Sequence, residues 1–371
     1  KHINGTQTLL SSHLIKKFFS LAVLAVIFGL LPGITKATYI LIYVFSALIL
    51  FGILKKTEPF SKANLLILTL FYLFIVFQQI ILQLAGVAVD YMQVMRNIAF
   101  ISLFFLVYEI RGWIAHIVVK NSNKLVYFML ALLILFYVFD VKLFITQLES
   151  QGRLYVFGFP IYVVLQILAI RQKQYHIVFF IFVILSASNG KAIIVADLFL
   201  IAVAMSSGVQ FNVGKFVFTF GLFAIILYNS VLFERIEMFM INGDAWRLEE
   251  VHYAYNSIIK DYFSPLFGNG LGVPYNDSYG YGVYANLTGL EENSSFDIHN
   301  LFISIILKYG VLGSLLFYYA WKRYLKNTGE FAFTIFVLIS GMSSPWIIQS
   351  IEITSLAIAM GILQNEKNYF N

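Results

Sequence analysis

Cysteine is absent from all 371 residues, which excludes disulfide staples and thiolate metal sites and leaves the redox compartment open. Charge is scarce as well. Asp, Glu, Lys and Arg make up 12% of the chain, against about 25% in a soluble globular domain, and that deficit excludes a soluble enzyme. Nucleic acid is not expected as a partner. No outside Asp-x-Asp pair and no His/Asp/Glu cluster with metal-ligand spacing occurs, so neither metal nor cofactor is expected. What is abundant is apolar: 60% of residues are hydrophobic, with 38 Phe and 23 Tyr, and mean hydropathy is +0.82. The apolar residues fall in long runs rather than short alternating ones, the pattern of membrane helices rather than of an outer-membrane barrel.

The expected fold is an all-α, polytopic integral membrane protein forming a single domain over 1–371. A span needs roughly 20 apolar residues. About twelve are expected, near 18–31, 39–54, 64–84, 92–110, 125–139, 158–170, 176–187, 191–207, 216–232, 298–319, 331–344 and 346–363. Several are short, and a short one can be tilted, re-entrant or lengthened by flanking polar residues. Lys16 and Lys17 precede the first span, but no small-residue cleavage site follows it, so it reads as a retained span.

With the N-terminus inside, 16 cations fall on cytoplasmic segments and seven outside. The positive-inside rule therefore puts both termini in the cytoplasm. Inside connections are short, none exceeding 111–124, leaving no room for a cytoplasmic catalytic domain. Outside, residues 233–297 form one 65-residue loop, far longer than a bundle connection requires, with seven Tyr, seven Gly, Trp246 and ten acids.

In that loop Asp244 can cap a helix running to about Phe263, with Trp246, Val251, Ala254, Ile258, Ile259 and Tyr262 along one face. Arg247 falls in its first turn, where a cation opposes the helix dipole, so an anionic ligand such as a phosphate or diphosphate explains it better. A surface ion pair with Glu249 or Glu250 is the alternative. Next comes the glycine-rich Pro265-Leu266-Phe267-Gly268-Asn269-Gly270-Leu271-Gly272. No strand precedes it, so its glycines serve tight turns or close approach of backbone to a ligand. The tyrosines from Tyr275 to Tyr284 suit sugar faces, or else anchor the loop at the interface. His299 falls just inside the start of the tenth span, where the positive helix end favours a neutral imidazole able to accept a proton; a plain hydrogen-bonding role is the alternative. Arg153, Lys191 and Arg96 converge on the same side. Arg96 can instead pair with Glu352 or Asp197, and Lys308 can snorkel or line a cavity.

The order of these features resembles the superfamily of O-antigen polymerases and O-antigen ligases, which are membrane glycosyltransferases. Four stretches carry the likeness: Gly152-Arg153-Leu154-Tyr155-Val156-Phe157-Gly158-Phe159-Pro160; Ser186-Ala187-Ser188-Asn189-Gly190-Lys191-Ala192; Gly243-Asp244-Ala245-Trp246-Arg247 leading to the glycine-rich stretch; and Asp297-Ile298-His299-Asn300-Leu301 followed by Tyr309-Gly310-Val311-Leu312-Gly313. Two positions depart from the family pattern. Ser188-Asn189-Gly190-Lys191 stands where Ser-Arg-Gly is common, and Ile161 follows Pro160 where Asn is usual.

The resemblance implies a GT-C-like bundle of about a dozen helices in the bacterial inner membrane, with the active site at its periplasmic face. It also implies metal-independent chemistry on an undecaprenyl-diphosphate-linked oligosaccharide. On that view Arg247 and His299 are catalytic, and Arg153, Lys191 and Arg96 bind diphosphate. The expected activity is that of an inverting O-antigen polymerase, with membrane lipid around it and dependence on a chain-length regulator protein left open. An O-antigen ligase acting on lipid A-core and a capsule polysaccharide polymerase share the donor. A lipid-linked oligosaccharide flippase is the rival of another class, and it predicts matched repeats, discontinuous helices and no large outer loop.

Overall fold

A computed structural model describes residues 61–137, 159–188, 196–198, 200–201, 254–257, 263–273, 275–276, 294–295, 300–326, 330–341 and 352–365. The expected spans at 18–31, 39–54 and 216–232 lie outside the described residues, as does most of 191–207. In chain order the elements are α1 (Lys62–Leu84), α2 (Tyr91–Glu109), α3 (Arg111–Lys120), α4 (Ser122–Tyr137), α5 (Phe159–Arg171), α6 (Tyr175–Ser188), α7 (Ser264–Phe267), β1 (Tyr275–Asn276), β2 (Ser294–Ser295), α8 (Leu301–Lys326), α9 (Phe331–Gly341) and α10 (Glu352–Gln364). The described residues thus form an α-helical membrane protein, with one antiparallel two-residue ladder pairing Tyr275 with Ser295 and Asn276 with Ser294. By length and composition α1, α2 and α8 are able to cross a membrane, and α5, α6, α9 and α10 are apolar but shorter.

Each helix shows where it sits by what it buries. α1 runs without Gly or Pro, and it buries Asn64, Ile67, Phe71, Ile75, Gln78 and Leu82, one stripe at three- and four-residue spacing. Its other face exposes Leu65, Leu66, Leu73, Val76 and Phe77, which suits lipid. α5 is the opposite case: every residue from Phe159 to Ile170 is buried, as a helix at the centre of a bundle requires. It packs on α6 and α10; α10 in turn packs on α2 and α3, and α1 lies against α2 and α8.

One end of the bundle, where α1 starts and α2, α8 and α10 stop, is closed by a polar network. Tyr324 donates to Asn64 Oδ1 at 3.0 Å, and Asn64 donates to Glu109 Oε1 at 2.6 Å. Arg111 donates to Gln364 Oε1 at 2.6 Å, with its guanidinium 3.9 Å from the centroid of the Tyr108 ring. Lys120 ends α3, Lys124 falls in the first turn of α4, Lys322, Arg323 and Lys326 lie at the end of α8, and Arg171 of α5 pairs with Glu330 before α9. Under this network Phe71, Phe104, Phe105, Phe317, Trp321 and Ile353 line a small apolar crevice.

Two expectations need correction. The connection 111–124 is mostly helix: α3 buries Ile114, Ala115 and Val118 against α10, and the next helix begins at Ser122 rather than 125. Helical spacing of apolar residues within a basic segment was the missed signal. The tenth span starts at Leu301 rather than 298, capped by Asn300, whose Oδ1 accepts from Phe302 and Ile303 at 3.0 and 3.1 Å. It then runs on to Lys326 with a break at Gly310.

Candidate functional site

The described part of the long loop is built around its glycines. Pro265 opens the single turn α7, and Gly268 closes it at φ 77°, donating its N–H to Ser264 at 2.8 Å. Gly270 at φ 99° and Gly272 at φ 83° follow, so every second residue is left-handed, a path closed to most side chains. Between them Leu271 is fully buried.

This loop sits in the break of α8. At Gly310 the backbone leaves the helix (φ 61°, ψ −168°), which frees the carbonyls of the preceding turn from helical partners. The loop supplies replacements: Asn269 N–H donates to Leu307 at 2.7 Å and Gly270 N–H to Lys308 at 3.2 Å. Gln78 of α1 closes the joint from a third side, donating to Lys308 O at 2.6 Å and to Phe267 O. Asp90 N–H donates to Gly272 O at 2.7 Å, and the Asp90 carboxylate caps α2 through Met92 and Gln93. Phe267 packs edge-on against Phe77, ring centroids 5.4 Å apart, and stacks on Phe74.

The glycines were expected to serve tight turns or a close approach of backbone to a ligand. They serve the turns, and two of them, Gly268 and Gly272, also bring their backbone against another backbone. A Cβ on Gly268 would strike the carbonyl of Lys308, one on Gly270 would strike Leu82, and one on Gly272 would strike Asp90. The amides of Gly268, Asn269 and Gly270 are spent on protein carbonyls, so this loop is not an anion nest. Lys308 is only 5% exposed and does not snorkel to the surface. Gln78 and Asp90 were not singled out for this site by sequence reasoning, and Gly310 entered only within the stretch Tyr309-Gly310-Val311-Leu312-Gly313. A glutamine inside an apolar span was the available signal for the first.

Arg247, His299, Arg153 and Lys191 lie outside the described residues. Of the helix expected over 244–263, residues 254–257 are described and helical, with Ala254 buried as its face requires. Arg96 is described: it is half-buried in the second turn of α2, with its guanidinium over the Phe100 ring at 6.0 Å. Asp197, one of its expected partners, is fully buried and takes its hydrogen bond from Gln166 Nε2 at 3.3 Å. Among the described residues no group of three or more His, Cys, Asp or Glu stands together to hold a metal ion.

No family model matches the chain, and no curated protein and no solved structure matches it either.

Proposed function

We propose that this membrane protein is a glycosyltransferase of the O-antigen polymerase kind, moving a glycan from a polyprenyl diphosphate to a sugar hydroxyl of a second lipid-linked repeat. The observation that carries the proposal is the docking of the glycine-rich loop into the break of α8. The loop follows the segment of Arg247 and α8 follows His299, so a long polar loop is anchored at the bundle by structure rather than left as a tether. Arg96 and the buried Lys308 belong to the two helices packed against that joint.

The chemistry follows from charge and proton balance. The acceptor hydroxyl loses its proton to a base, its oxygen bonds to the anomeric carbon, and the carbon–oxygen bond to the diphosphate breaks with its electron pair leaving on the diphosphate. Fixed cations stabilise that developing charge, the role assigned to Arg247 with Arg153, Lys191 and Arg96. His299 is assigned the proton. A single displacement inverts the anomeric centre. These side chains supply the positive charge themselves, so the scheme calls for no metal and no cofactor.

Complementation tests the proposal. A strain lacking the gene should regain polymer with the wild-type chain but show core capped by a single repeat with Arg247→Ala or His299→Ala. Uncapped core with lipid-linked polymer accumulating would make the protein a ligase instead. One observation favours a second class: the break of α8 at Gly310 makes a discontinuous helix, the feature that a lipid-linked oligosaccharide transporter predicts. Transport predicts that both variants block delivery of the repeat to the outer face, and no capped core would then form.

A further inference from the structure

We propose that Gln78 is a positioning residue, whose buried amide holds the glycine-rich loop, which follows Arg247 in the chain, against α8, which follows His299, and that catalysis by those two residues depends on this clamp. The inference rests on the glycosyltransferase reading of those residues.

Gln78 is 1% exposed in the middle of an apolar helix, where an amide is costly unless it is bonded. It is bonded with a particular purpose. Both contacts use Nε2, one to Phe267 O and one to Lys308 O, with partners 189 and 230 residues further along the chain. Two acceptors fix which way the amide faces. Its Oε1 is then left with no hydrogen-bond partner among the described residues. A side chain kept for packing alone would be leucine or methionine, which fill similar space without an orphaned acceptor. What glutamine adds here is the pair of donations, and these join the loop to the broken helix.

The joint is also where a small slip would travel. Phe267 and Gly268 end the turn that leads out of the Arg247 segment, and Lys308 is two residues before the break at Gly310. A shift of about 1 Å between reacting groups costs on the order of a hundredfold in rate. The hydrogen bonds of Gln78 among the described residues go to the backbone carbonyls of Phe267 and Lys308, so its effect runs through the loop.

The chain has no cysteine, so spin labels can be placed cleanly at L266C and L312C, both on exposed positions flanking the joint. In nanodiscs the dipolar broadening between the labels should be sharp for Gln78 and smeared for Gln78→Met and Gln78→Glu, the latter keeping length but offering no N–H. With a defined lipid-linked repeat as substrate, both variants should lose about a hundredfold in kcat per folded protein with KM nearly unchanged. Gln78→Met added to His299→Ala should cost nothing further. An unchanged label distance overturns the proposal, and so does a changed distance with unchanged kcat or a fully additive double variant. A purely structural role would lower Tm and folded yield while leaving kcat per folded protein alone. If the wild type turns over no substrate, the glycosyltransferase reading itself fails, and the label distance still judges the clamp.

Discussion

Gly268 and Gly310 press their backbones together: a Cβ on Gly268 would strike Gly310 N, and a Cβ on Gly310 would strike Gly268 N and Leu266 O. Both residues are left-handed, at φ 77° and 61°. The two glycines are 42 positions apart, yet each is required by the other, since the break in α8 leaves carbonyls that only a closely approaching loop can reach.

Alanine at either position should therefore cost more than its local conformation demands. The left-handed backbone alone costs about 1–2 kcal/mol, and the collision adds to that, for about 3 kcal/mol or more in total. Gly86 provides the control, being left-handed at φ 70° with open space around its Cβ. Thermal unfolding in one detergent should rank Gly268→Ala and Gly310→Ala well below Gly86→Ala. Equal shifts for all three would show that the close approach contributes nothing.

Asn64 is 6% exposed and links Tyr324 to Glu109 across α8, α1 and α2. Leucine there fits the apolar stripe of α1 but strands the buried Tyr324 hydroxyl and takes one donor from Glu109, which keeps the Ser61 N–H at 3.3 Å, so Asn64→Leu should lose about 1–3 kcal/mol. Denaturant midpoints in mixed micelles read this directly. A neutral or stabilising result would mean that Tyr324 and Glu109 find other partners.

Much of the bundle was legible because hydropathy reads continuous apolar runs. The spans at 64–84, 92–110, 158–170 and 176–187 agree with α1, α2, α5 and α6 within about two residues. The turn chemistry of the glycine-rich stretch was legible too, because alternate glycines leave few other paths. The break at Gly310 was not. A hydropathy window sums side chains and is blind to backbone torsion, and a lone glycine in an apolar helix is common enough to carry no alarm. Nor was the Gln78 joint, whose partners lie far along the chain and are backbone carbonyls with no residue-type signature. α3 was hidden by its cations, which read as a connection while Ile114, Ala115 and Val118 made a helical face.

Asp197 gives a third prediction. Its carboxylate is fully buried, one oxygen accepts from Gln166 and the other has no hydrogen-bond partner among the described residues. Asparagine keeps an acceptor for Gln166 and removes the cost of holding an ionisable group away from water, so Asp197→Asn should be more stable by about 1–3 kcal/mol. Unfolding midpoints measure it. A loss of stability would show that the charged form is held by groups beyond Gln166.

The most direct test of the account uses purified protein and a defined lipid-linked repeat, following glycan joining and release of polyprenyl diphosphate in a single turnover. Wild type should join repeats with inversion at the anomeric carbon, and Arg247→Ala should slow the step by about 10²–10³-fold at equal folded protein, as expected when a cation facing the leaving group is removed. Joining at the wild-type rate by both Arg247→Ala and His299→Ala would contradict it.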